Sequence, residues 1–199
     1  MTESERKQII ALIQREVIPA IGCTEPIAVA LCVAKATETL GAKPEKIKVL
    51  LSANILKNAM GVGIPGTGMI GLPIAVALGA LIGKSDYQLE VLKDSTPEAV
   101  EEGKKLIDEK RICISLKEDI TEKLYIEVTC EAGGEQATAI ISGGHTTFVY
   151  VAKGDEVLLN KQQTSGEEEE EETLELTLRK VYDFALTAPL DEIRFILEA

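Results

Sequence analysis

The sequence predicts an α+β fold, with apolar helices at both ends of the chain around a mainly antiparallel sheet. Three observations predict it. Up to residue 108 the apolar residues recur mostly at helical spacing. From Arg111 to about residue 160 the period changes to two, with glycine pairs between the runs. Two further helical stretches then close the chain. Helices, then strands, then helices is the order of an α+β domain and not of alternating βα units.

The elements follow in order. Thr2 and Glu5 stand at capping-box spacing, and Ile9, Ile10, Leu12, Ile13 and Val17 repeat at helical intervals behind them, so residues 4 to 17 read as an amphipathic helix. Pro19 and Gly22 break the chain. Thr24-Glu25-Pro26 starts a second helix, a capping hydroxyl followed by a proline in the first turn. It runs to about Leu40 and is apolar nearly all round, which predicts burial on most faces, and Gly41 terminates it. Residues 47 to 52 read as a short strand and 55 to 60 as a short helix. A glycine-rich stretch, 61 to 68, leads into an apolar helix from about 72 to 82, and Thr96-Pro97 opens another that runs to about Asp108. Residues 112 to 116, 124 to 128, 137 to 141 and 146 to 151 read as strands of an antiparallel set. Residues 162 to 172 form an acidic loop, and 174 to 186 and 190 to 197 are the closing helices.

Composition narrows the class. At 199 residues, 45% apolar and 27% charged, the chain is of globular type, with an aliphatic core because Trp is absent and aromatics are 4%. The net charge is −12, and −6 without the six-residue run from Glu167 to Glu172. No basic stripe offsets it, which argues against nucleic acid as a partner. The longest apolar stretch, Met69 to Ile82, is fourteen residues and contains Pro73, too short to span a bilayer. The polar start has no signal-peptide centre, and Cys23, Cys32, Cys113 and Cys130 make no CxxC pair. A soluble cytoplasmic protein with free thiols is the expectation.

Four constellations could carry chemistry. Cys23, in Gly22-Cys23-Thr24-Glu25-Pro26, precedes a helix N-terminus, where free N–H groups and the helix dipole favour the thiolate that a nucleophile or an iron ligand needs. A second reading makes it a small cysteine packed at a tight turn. Asn54, Lys57 and Asn58 share one helical face, where the lysine could act as a base of lowered pKa or bind a carboxylate, or simply extend to solvent. Gly61-x-Gly63-x-x-Gly66 spells the dinucleotide fingerprint, but it follows a helix and Pro65 removes a backbone donor, so a loop approaching a small ligand fits better. His145, the only histidine, follows Gly143-Gly144 at a strand edge, open either to a site role or to a structural hydrogen bond. Cys32, Cys113 and Cys130 read as core filler.

Taken in order, Gly22-Cys23-Thr24-Glu25-Pro26-Ile27-Ala28, Asn54-x-x-Lys57-Asn58, Gly63-Ile64-Pro65-Gly66-Thr67-Gly68-Met69, Leu89-Glu90-Val91-Leu92-Lys93-Asp94, Gly143-Gly144-His145-Thr146 and Ile193-Arg194-Phe195-Ile196-Leu197 resemble the iron–sulfur L-cysteine desulfidases, relatives of the α part of bacterial iron–sulfur L-serine dehydratases. The resemblance covers essentially the whole chain. It implies a [4Fe–4S] lyase that converts L-cysteine or L-serine to pyruvate and ammonia. It implies Cys23 as the iron ligand, Lys57 with Asn54 and Asn58 on the substrate carboxylate, and His145 as base or orienting group. Thr24, Gly66, Thr67 and Gly68 would line the substrate pocket. The family's other two ligand cysteines lie in a C-terminal domain, in a motif like C-D-G-A-x-x-x-C that this sequence lacks. The chain therefore reads as the N-terminal domain of a longer two-domain enzyme, inactive alone and holding one cluster ligand. The alternatives are a non-catalytic small-molecule-binding or regulatory domain using the glycine-rich loop and Lys57, and a scaffold with an inert Cys23. Leu190, Ile193, Ile196 and Leu197 form an apolar stripe expected to meet the missing domain or, alone, to drive self-association, as could the apolar surface around Cys23.

Overall fold

A computed structural model describes residues 1–17, 19–161 and 176–197. The chain divides into two compact units, Met1–Pro19 with Ser165–Ala199, and Ala20–Thr164. The acidic loop expected at 162–172 and the first residues of the helix expected from 174 lie outside the described residues.

The larger unit is built on a six-stranded sheet. Its strands are β1 (Lys46–Leu51), β4 (Ile112–Leu116), β5 (Tyr125–Ala132), β6 (Glu135–Ser142), β7 (Phe148–Lys153) and β8 (Glu156–Asn160), in the order β4-β1-β5-β6-β7-β8. Four of the five pairings are antiparallel; the exception is β1 with β4, which runs parallel with Val49 opposite Ile114. The mainly antiparallel sheet predicted for 111–160 is therefore present. It gains β1, which inserts between β4 and β5 rather than standing apart. A parallel neighbour needs a long crossover, and the stretch from residue 52 to 111, rich in helix, supplies it.

One sheet face is covered by α2 (Thr24–Leu40), which packs across β5 and β6, and α4 (Leu72–Ile82) packs on α2. Eleven of the seventeen α2 residues are buried, and eight of the eleven in α4. Ile126, Val128 and Cys130 alternate inward along β5 to meet them, while Glu127 between them faces away and holds Lys117 at 2.7 Å and the Tyr125 hydroxyl at 2.7 Å. The two helices approach closely because Gly79 has no side chain: a Cβ built there would lie 2.6 Å from the Ala30 carbonyl oxygen. Gly41 ends α2 with φ +76°, a left-handed cap that glycine adopts without strain. The short α3 (Ala53–Ala59) follows β1. The glycine-rich stretch folds as a small hairpin of β2 (Gly63–Ile64) and β3 (Met69–Ile70), and α5 (Pro97–Asp108) leans on α4.

In the smaller unit, α1 (Glu3–Glu16) carries the expected capping box: the Glu5 N–H donates to Thr2 Oγ1 at 3.2 Å and the Thr2 N–H donates to Glu5 Oε2 at 2.9 Å. Helix α6 (Leu178–Thr187) starts at the Thr177 cap, and α7 (Leu190–Ile193) runs on as a 3-10 turn to Leu197. Ion pairs join Arg6 to Glu192 at 2.9 Å and Lys180 to Glu5 at 3.2 Å. The helices at the chain's two ends are amphipathic, not apolar: α1 buries only Ile9 and α6 only Phe184. The wholly apolar helix is α4, and α2 is apolar over its buried stretch from Pro26 to Ala34. Among the described residues no helix is long and apolar enough to cross a membrane.

Candidate functional site

The start of α2 gathers residues from four separate segments. Gly22 takes φ +86°, and a Cβ at that position would lie 3.0 Å from Pro65 Cγ, so the turn before the helix rests directly on the glycine-rich hairpin. The Ile21 N–H donates to the Leu89 carbonyl at 3.2 Å, which ties the same turn to the 89–94 stretch. Cys23 is the N-cap residue of α2, half-buried, with extended backbone and no side-chain capping bond.

Its thiol turns instead to the first turn of the helix and donates to Glu25 Oε2 at 2.9 Å. Asn58 Nδ2 donates to the other carboxylate oxygen at 3.4 Å, and the Thr24 hydroxyl donates to Glu25 Oε2 at 3.4 Å. Thr24 Oγ1 also lies 3.5 Å from His145 Nε2. His145 stands on the turn between β6 and β7, where Gly143 at φ +80° reverses the chain and the Thr147 N–H closes the turn on the Gly144 carbonyl at 3.2 Å. Thiol, carboxylate, amide, hydroxyl and imidazole thus form one connected polar cluster.

The electrostatics differ from the expectation for a helix N-terminus. Burial pushes the Cys23 thiol up, and its hydrogen bond to the Glu25 carboxylate and that group's negative charge raise it further. The backbone N–H of Glu25 pulls the other way, without prevailing. Burial first, and an anion at hydrogen-bond distance second, thus outweigh the backbone N–H and favour the thiol form of Cys23. Glu25 is held below the usual carboxylate range, first by the Cys23 hydrogen bond, and also by its own backbone N–H, Asn58 and the attraction of His145.

Glu25 is not among the residues the sequence singles out. An acid in the first turn of a helix complements the helix dipole and needs no other reason to be there, so its signal is masked. Of the expected residues, Cys23, Thr24, Asn58 and His145 come together, and the Gly66-Thr67-Gly68 turn belongs to the hairpin that meets them through Pro65. The Thr67 hydroxyl serves that hairpin itself, donating to the Ile64 carbonyl at 2.7 Å and accepting from the Met69 N–H at 3.0 Å. Lys57 is exposed on α3. Asn54 lines a separate cavity of about 540 Å³ with Ser52, Ala53 and residues 116–123.

The donor set fits one corner of an iron–sulfur cluster and not a whole one. Among the described residues no group of three His, Cys, Asp or Glu side chains is arranged to hold a metal ion. Cys32 is buried and donates to the Ala139 carbonyl at 3.3 Å; Cys130 is buried beside Thr37 at 3.6 Å; Cys113 is exposed on β4.

The chain is similar to curated proteins that carry the name UPF0597 protein. One from Bacteroides thetaiotaomicron is 81% identical over 198 residues, all of this chain and 46% of that protein. One from Parabacteroides distasonis is 62% identical over 97% of this chain and 45% of its own length. One from Porphyromonas gingivalis is 48% identical over all of this chain and 47% of its own. The chain thus spans about half the length of the curated relatives it matches. No family model matches it, and no solved structure does. These relatives correct the resemblance read from the motifs: matches at this identity carry the UPF0597 name, which states no activity, and not that of the L-cysteine desulfidases.

Proposed function

We propose that the cluster at the start of α2 is part of the active site of an amino-acid lyase that removes hydrogen sulfide from L-cysteine, or water from L-serine, to leave pyruvate and ammonia. The observation that supports this reading is the convergence of Cys23, Glu25, Thr24, Asn58 and His145, from three segments, on the open end of an otherwise buried helix. Titratable groups with shifted pKa values gathered in one network mark a candidate functional site.

Elimination needs a base for the α-proton and an acid for the departing group. His145 and Glu25, joined through the Thr24 hydroxyl, are two proton-carrying groups within one network. In this reading His145 takes the α-proton, the Cβ–S or Cβ–O bond breaks, and the leaving sulfide or hydroxide takes a proton from the Glu25–Cys23 pair. The enamine left behind tautomerises to an imine, and water hydrolyses it to pyruvate and ammonia. Lys57 and Asn58 would hold the substrate carboxylate. A [4Fe–4S] cluster bound through Cys23 and thiolates from outside this chain would supply a Lewis-acid iron for the leaving atom. Were Cys23 such a ligand it would be a thiolate, and Glu25 would be the member of the pair to carry the proton for the leaving group. Four free cysteines fit a reducing compartment, the cytoplasm.

The test is turnover by the complete gene product purified without oxygen, with pyruvate measured from L-cysteine and from L-serine. Cys23→Ser is expected to lose both turnover and iron–sulfur absorbance, and His145→Ala to lose turnover while keeping the absorbance. Full absorbance in Cys23→Ser removes Cys23 from the ligand set. Amino-acid binding without pyruvate from either substrate would favour the non-catalytic binding domain instead.

A further inference from the structure

Helix α6 is amphipathic with its apolar stripe turned the wrong way for a helix that closes a domain. Leu178, Val181, Tyr182 and Leu186 recur at the spacing of one helical face, and all four are exposed, Leu178 by 90% and Leu186 by 67%. The inward side is held by Phe184, the one buried residue of the helix, and by the ion pair of Lys180 with Glu5 of α1; Arg179 pairs with Asp183 along the exposed surface of the helix. The following turn continues the pattern. Leu190 is 79% exposed and Leu197 86%, and the groove they edge with Ile193 and Ile196 holds about 420 Å³. An exposed apolar stripe of this extent marks an interaction surface.

We propose that this face, α6 with the 190–197 turn, is the docking surface for the part of the protein that lies outside this chain. Two observations and one general argument select that occupant. The relatives are more than twice as long as the stretch they share with this chain, so a partner of over two hundred residues would be carried on the same polypeptide. A linked partner has an effective concentration on the order of millimolar, well above that of a free second copy, so it prevails in the competition for the face. The segment that precedes α6 in sequence, residues 162–175, has seven acids and one apolar residue, Leu174, a composition unsuited to an apolar groove. The inference does not rest on the lyase reading, since it uses none of the residues around Cys23.

The test compares hydrogen exchange of residues 178–197 in this chain alone and in the complete gene product, with the doubly substituted Leu178→Ser, Leu186→Ser variant of each. Both side chains are exposed, so the variants fold. The expected result is at least tenfold slower exchange of these residues in the complete protein than in the chain alone, independent of protein concentration. The double variant should return the complete protein to the fast exchange of the chain alone and make it bind an apolar fluorescent dye. Three results overturn the proposal: protection already present in the chain alone, protection in the complete protein that disappears on dilution, as a second copy would give, or protection that survives the double substitution. A gene product no longer than this chain overturns it at once.

Discussion

Helices α2 and α6 are both rich in apolar residues, and their fates are opposite. Helix α2 is enclosed by β5, β6 and α4 and buries eleven of its seventeen residues; α6 buries Phe184 alone and leaves four large apolar side chains in solvent. Helix α2 is apolar over most of its faces and α6 over one stripe only, yet it is the stripe of α6 that is left uncovered, so the outcome is set by what surrounds each helix as well as by its own hydrophobicity. Apolar content says that a helix must be covered, and only the neighbours say whether it has been.

The comparison can be broken most directly by truncation. Leu31 of α2 is fully buried, and Leu31→Ala is expected to cost about 2–5 kcal/mol through lost burial and the cavity left behind. Leu186→Ala in the chain alone is expected to change stability by less than about 0.5 kcal/mol, since its side chain already meets water. Urea unfolding of both variants measures this, and equal costs would show that α6 is covered within the chain after all. A smaller effect sharpens the α2 side of the contrast. Gly79→Ala places a methyl 2.6 Å from the Ala30 carbonyl oxygen, backbone that cannot swing aside, so the helices must separate at a cost of about 1–3 kcal/mol. Gly61→Ala, where a Cβ meets nothing within 4 Å, is the control that should cost far less.

Much of this was legible in the sequence because it was local. The Thr2–Glu5 capping box, the α2 boundaries and the Gly41 stop are set by residues within a turn of each other, and they stand where periodicity and capping chemistry put them. The parallel β1–β4 pair was not legible, because it joins residues about 65 apart and depends on how the intervening helices pack. At the site the same division holds. Cys23 and His145 stood out as isolated reactive types beside glycines, whereas Glu25 was hidden by a sufficient local reason to be at a helix start. The upward shift of the Cys23 thiol is not legible, because the helix N-terminus is visible in the sequence while the burial of Cys23 and the direction of the Glu25 side chain are not.

That last point carries the smallest effect and the most specific measurement. In the chain alone, Cys23 holds its proton more tightly than an unfolded cysteine does, through burial first and the Glu25 carboxylate second. The stability it contributes is therefore present at low pH and is lost as the pH rises through the folded value. Its alkylation rate, followed against pH in a Cys113→Ser background to silence the exposed thiol, should have a midpoint above that of a free cysteine. Glu25→Gln removes the charge and keeps the shape. The midpoint should then fall and the rate at neutral pH should rise several-fold, without reaching the behaviour of an exposed thiol, because burial is the larger cause and remains. A midpoint that stays put would mean that the carboxylate does not govern the thiol, and that Glu25 meets Cys23 without controlling its proton.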